Sequence, residues 1–118
     1  MKISVCAIEP FVTKDGSVIR EIINPGLQEG SPMSLAEATI EQGVTTLLHL
    51  HETSHEIYHV TQGMGILRLG DDCLDVNEGD SVLIRPGTPH SIKCTGAVPL
   101  KILCCCHPPY HHDDTVIL

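Results

Sequence analysis

The sequence predicts an all-β fold, a small barrel of antiparallel strands. Short runs rich in apolar and β-branched residues recur along the chain, with turn signals about every eight to twelve residues, as in sandwiches and barrels. The 10 glycines and 8 prolines interrupt almost every window long enough to hold a helix. At 118 residues the chain makes one domain, residues 1–118, able to bury roughly two-thirds of its unfolded surface in a single core. A jelly-roll arrangement of such strands also protects sheet edges that would otherwise stay open.

Taken in order, Ile3 to Ile8 reads as a strand stopped by Glu9-Pro10. Ser17 to Ile23 is a second, ended by the turn signal Asn24-Pro25-Gly26. Leu27 to Pro32 is a polar loop, and Leu35 to Glu41 a loosely alternating strand that ends at Gln42-Gly43. Val44 to His51 is strand-like, with β-branched Val44, Thr45 and Thr46 at its start. Glu56 to Thr61 follows, and Gln62-Gly63 reads as a hairpin turn. Ile66 to Leu69 and Cys73 to Val76 flank Gly70-Asp71-Asp72, which suits a second hairpin. Ser81 to Ile84 is apolar at three consecutive positions and is expected to be buried on both faces. Ser91 to Thr95 and Leu100 to Cys106 complete the set.

Composition excludes several functions. The net charge of -8 with histidines neutral argues against nucleic acid, whose phosphates demand a basic surface, and against anionic membrane surfaces. No stretch reaches transmembrane length. The apolar run after Lys2 is too short for a secretion signal, so a cytoplasmic protein is expected. There the six cysteines stay reduced. Three of them, Cys104, Cys105 and Cys106, are contiguous, which suits a buried strand better than a disulfide framework. With no Trp, one Phe and two Tyr, a carbohydrate-binding surface built on aromatic faces is not favoured.

The most informative stretch is His49-Leu50-His51-Glu52-Thr53-Ser54-His55-Glu56. Strand side chains alternate with period two, so His49 and His51 point to the same side. Imidazole suits Zn, Cu, Fe and Ni, and a carboxylate brings in Mn. Glu56 is close enough to fold back to the same point, and a third imidazole stands downstream at His90. The reading is one divalent ion (Fe, Mn, Ni, Co, Cu or Zn) held by His49, His51, Glu56 and His90. Parity adds Leu47 to the face of the two histidines, Tyr58 and Val60 to that of Glu56, and Ile92 and Cys94 to that of His90. Apolar walls with a few convergent polar groups are the makeup of a ligand pocket.

These residues carry a resemblance. Gly43, five residues, His49-x-His51, four residues, Glu56, six residues, Gly63 is similar to the first motif of the cupin superfamily (residues 43–63). Gly79, then Pro86-Gly87, two residues and His90 resembles the second (residues 79–94). Arg85 stands where that second motif usually starts its Pro-x-Gly, and Cys94 where an asparagine is usual; neither position is a metal ligand in the family. The resemblance implies a double-stranded β-helix, or jelly roll, enclosing one divalent metal. It implies a metal-dependent enzyme acting on a small organic molecule, of dioxygenase, isomerase or epimerase, or decarboxylase or lyase type. The alternative is a non-catalytic sensor or carrier of a small molecule or metal. It also implies a homodimer, with the strands before Gly26 as candidates for exchange.

Four protein ligands leave two positions open on an octahedral metal for substrate or O2, with Tyr58 and His55 as candidate catalytic proton carriers. His59 falls on the face opposite Glu56 and is expected outside the cavity. With Lys101 outward, parity turns Leu100, Ile102, Cys104 and Cys106 inward and Cys105 outward, the inward thiols packing as small hydrophobes. In the tail, residues 107–118, Pro108-Pro109 stops the last strand. His111, His112, Asp113 and Asp114, with Cys106, are a candidate second metal site. Apolar Val116-Ile117-Leu118 predicts that the end docks onto the barrel.

Overall fold

The computed structural model describes residues 1–118, and half-buried, alternating strands make up its framework. The strands are β1 (Phe11–Val12), β2 (Val18–Ile23), β3 (Ser34–Ile40), β4 (His49–His51), β5 (His55–Gln62), β6 (Met64–Leu69), β7 (Asp72–Asn77), β8 (Ser81–Ile84), β9 (His90–Cys94), β10 (Leu100–His107) and β11 (Thr115–Ile117). All pair antiparallel. They form a six-stranded sheet in the order β1-β2-β3-β10-β5-β8 and a five-stranded sheet in the order β11-β4-β9-β6-β7. This is the predicted jelly-roll barrel. No helix is long and apolar enough to cross a membrane.

Period-two burial aims one face of each sheet at the other. On β5 Glu56, Tyr58 and Val60 are buried while His55, Ile57 and Thr61 are exposed. On β10 Leu100, Ile102 and Cys106 are buried, as their parity requires. The core joins Ile40, Leu100, Ile102 and Ile84 of the larger sheet to Leu67 and Ile92 of the smaller. Each such side chain taken fully out of water contributes about 1.5–3 kcal/mol.

Four local expectations are corrected. Ile3 to Ile8 is no strand: Val5–Ala7 form a 3-10 turn with nothing buried, because no neighbour pairs this edge. Of Val44 to His51, only His49–His51 is strand; Thr45 makes a single bridge to Lys93. Ser81 to Ile84 is not buried on both faces, since Leu83 is 47% exposed on the outside of β8. Gln62-Gly63 is no hairpin either. It is the corner where the chain leaves the six-stranded sheet for the five-stranded one. Gly63 (φ 82°) makes that corner, and a Cβ there would meet the Pro99 carbonyl oxygen at 3.0 Å. Gly65, two residues on, lies too close to the Lys93 carbonyl to carry a Cβ at all.

Candidate metal centre

The two sheets bring the four predicted ligands to one place. His49 and His51 both turn inward from β4, and His90 is the register partner of His49 on β9. The three rings therefore come from the five-stranded sheet. One ring nitrogen of each lies within 4.8 Å of the others. Glu56 faces them from β5 of the opposite sheet, with Oε1 3.1 Å from His51 Nε2 and 3.5 Å from His90 Nε2. All four side chains are buried.

The back of each ring is fixed by a hydrogen bond that also sets its tautomer. His49 Nδ1–H donates to the Leu47 carbonyl (2.8 Å) and His90 Nδ1–H to the Thr88 carbonyl (2.9 Å). A carbonyl only accepts, so the proton sits on Nδ1 in both. His51 Nδ1 meets Thr115 Oγ1 at 3.0 Å. That hydroxyl spends its own proton on the His111 carbonyl (3.2 Å), so His51 is again the donor. Each neutral ring thus presents the Nε2 lone pair inward, the arrangement that metal-binding histidines use.

Glu56 is oriented in the same way. Its Oε2 accepts from the Cys106 thiol at 3.2 Å, leaving Oε1 toward the imidazoles. Burial pushes the Cys106 thiol up, and the Glu56 charge pushes it further, so it stays a donor. For Glu56 itself, burial works to raise the pKa. The facing His51 and His90 rings outweigh it and hold the carboxyl at about 2. Burial, then the neighbouring His90, lowers His49 below the ordinary imidazole value.

A first-row divalent cation fits these residues. Three imidazole lone pairs converge, a carboxylate oxygen stands beside two of them, and His90 Nε2 is fully buried without a hydrogen-bond partner. Leaving such a group unsatisfied is costly, and a cation among the four donors removes the cost. Without one, a proton between His51 Nε2 and Glu56 Oε1 serves only that pair.

His49, His51 and Glu56 line a narrow cavity that opens to solvent. Tyr58 lines it as predicted, its ring 5.8 Å from that of His90. Burial, then the Glu56 charge, raises its pKa well above the tyrosine norm. Ile92, Ile102, Cys104 and Cys106 add to the walls. His55 does not enter the cavity: it is exposed at the start of β5, in register with His107. His59 is also on the outer face, its Nδ1 2.8 Å from Ser81 Oγ. Leu47 is corrected too. It is 52% exposed, because parity ends where the strand ends; buried Thr46 lines the cavity instead.

The tail does not assemble a second metal site. His111 and Asp113 are exposed, with Nδ1 and Oδ2 3.6 Å apart. His111 Nδ1 caps the 3-10 turn His112–Asp114 by accepting from the Asp113 amide. The Asp114 carboxylate accepts from the Thr53 amide and hydroxyl and the Ser54 amide, and Cys106 is engaged with Glu56. These groups fasten the tail, so that β11 pairs with β4 and delivers Thr115 to His51.

Sequence reasoning missed Asp15, Thr115 and Tyr110. Asp15 Oδ1 accepts from the Ser17 amide (2.9 Å) and hydroxyl (2.6 Å), and its Oδ2 lies 3.7 Å from His49 Nε2. Tyr110 stands edge-on to His51, with ring centroids 5.7 Å apart. In the text Asp15-Gly16 signals only a turn, and nothing local signals the other two.

The chain belongs to the cupin family: the cupin-domain family model matches residues 36–106. A curated relative, the uncharacterised protein MJ1618 of Methanocaldococcus jannaschii, is 51% identical over 111 residues, covering 94% of this chain and 89% of its own length. Among solved structures, a predicted oxalate decarboxylase from Thermotoga maritima superimposes with a TM-score of 0.81 at 22% identity, over 92% of this chain and 99% of the other. Pac13, a nucleoside dehydratase from Streptomyces, gives 0.78 at 18%, over 100% and 90%. KdgF from Halomonas gives 0.78 at 16%, over 94% of each. At these identities the likeness is one of fold.

Proposed function

We propose that this cupin is a metal-dependent enzyme acting on a small organic molecule, with one divalent ion held by His49, His51, His90 and Glu56. The observation that carries the reading is the buried His90 Nε2, left without a partner among two other imidazoles and a carboxylate. A cation there would act as a Lewis acid toward substrate oxygens. The chain's residues do the rest. Glu56, fixed by the Cys106 thiol, offers one oxygen to the ion. Tyr58, kept protonated by burial, donates a hydrogen bond to a substrate oxygen. Tyr110 and Thr115, brought by the tail, narrow the cavity beside His51.

The reaction class belongs to the same proposal: isomerisation or epimerisation, dioxygenation, or decarboxylation and related lyase chemistry. Fold neighbours named as a nucleoside dehydratase and a predicted oxalate decarboxylase support a lyase, although fold alone does not decide chemistry. The test is turnover by metal-loaded protein across a panel of small molecules. His51→Ala is expected to abolish turnover and Tyr58→Phe to lower it by about a hundredfold, with the melting transition retained. Ligand-dependent melting without any turnover would favour a sensor or carrier instead.

Pairing of two copies is part of the proposal. Ile23, Leu35, Cys105, Ile57 and Leu83 are successive register neighbours across β2, β3, β10, β5 and β8. They form an apolar row on the outer face, which supports a homodimer.

A further inference from the structure

The cavity is lined by no lysine or arginine. The chain has 7 lysines and arginines, and none is among the 21 residues that line it. Three carboxylates do line it: Glu56, Asp15 and Glu21. The nearest cation in sequence, Lys14, is committed elsewhere, its Nζ donating to the Thr115 carbonyl at 2.7 Å and the His112 carbonyl at 3.1 Å. Arg20, from β2, donates to the Ile8 carbonyl and faces Glu37 at 3.7 Å.

Charge balance then limits what can enter. Resting on the metal reading above, a divalent ion offsets two of the three carboxylates, and the loaded cavity keeps a charge of about minus one. A carboxylate or phosphate substrate would add to it with no lysine or arginine to answer, in a site where burial strengthens repulsion. Sites that recognise such anions supply basic forks or lysines. The net charge of -8 opposes their approach as well. An O–H or N–H group meets the opposite situation. Asp15 has both Oδ1 contacts supplied by Ser17, so the carboxylate is held in place, and its Oδ2 stands 3.7 Å from His49 Nε2. It is positioned to accept a hydrogen bond from a molecule seated at the ion. The buried, unpartnered His90 Nε2 marks where that ion sits.

We propose that the substrate is an uncharged or cationic molecule carrying O–H or N–H donors, not a carboxylate or phosphate, and that Asp15 is the residue that sets this preference. The claim removes decarboxylation from the reaction classes proposed above, and it separates this chain from its predicted oxalate decarboxylase neighbour, whose named substrate is an anion.

The test uses the full chain loaded with Co(II), whose visible spectrum reports ligands entering the open positions. Two small probes are titrated, azide as an anion and imidazole as a neutral donor. Asp15→Asn keeps the side-chain shape and the Ser17 contacts but removes the charge. It is expected to tighten azide binding by about tenfold and to weaken imidazole binding by about threefold or more, because an amide NH2 in place of Oδ2 cannot accept from the probe's N–H. Glu21→Gln is expected to act in the same direction and more weakly, and it keeps the claim testable if the Asp15 variant does not fold. Unchanged azide affinity in the folded variants overturns the charge argument and leaves the metal site standing. A spectrum that neither probe perturbs also overturns it, by showing no open position. Failure of the unmodified chain to bind Co(II) removes the metal reading, and this inference with it.

Discussion

His49 shows how one side chain carries both the legibility of this protein and its limits. The His-x-His spacing foretold that it and His51 share a face, and they do. The same parity, run back two residues, placed Leu47 inside, yet Leu47 is exposed. Residues 44–48 lie outside strand β4, where the Leu47 carbonyl accepts from His49 and its amide donates to the Asp15 carbonyl. Glu56 and Tyr58 were legible for the same reason as His49, being alternate residues of a regular strand. Asp15 was not, because only the folded chain carries it to the ring. Burial lowers the His49 pKa in the metal-free fold below the value of about 6.5 that it has in an unfolded chain. The unfolded state then binds more protons, so stability falls as pH drops through that range. Glu56 adds to the trend lower down: its contribution is present above its ordinary value near 4.5 and is lost as pH falls toward about 2. The melting temperature of chelator-treated protein is therefore expected to fall steadily from pH 7 to pH 3. In His49→Ala the upper part of that slope flattens. A metal-free melting point that rises on acidification would contradict these assignments.

Among the elements, regular strands were read well and chain ends and corners poorly. Strands β2, β3, β5, β9 and β10 appear within a residue or two of their expected bounds, because alternation and flanking Gly or Pro act locally. Whether Gln62-Gly63 folds into a hairpin or crosses between sheets depends on what Gly63 meets, and that is Pro99, distant in sequence. The tail docks as expected; its His and Asp residues are a candidate second metal site by composition alone, which does not reveal that Thr53 and Ser54 wait to bond Asp114. The six-stranded sheet carries the dimer proposal at this scale. Ile57 is 45% exposed and Leu83 47% exposed, adjacent in register on neighbouring strands. A charge there would be buried unpaired in a dimer and harmless on a monomer. Ile57→Lys is expected to shift sedimentation from dimer to monomer mass without loss of the folded signal. A monomeric parent chain would sink this proposal.

At the scale of the whole molecule, each sheet holds part of a site that neither could make alone. The smaller one presents three imidazoles with their tautomers fixed from behind. The larger one presents Glu56, aimed by Cys106. The barrel brings these into a buried space of low dielectric, where four donors without a cation are strained by an unsatisfied nitrogen. The direct test is the stoichiometry of divalent-metal uptake by chelator-treated protein, measured by calorimetric titration and checked by elemental analysis. Close to one ion per chain is expected for the parent protein, and none for a folded His90→Ala variant. No uptake by the parent chain, or undiminished uptake by His90→Ala, would contradict the metal centre on which the functional account rests.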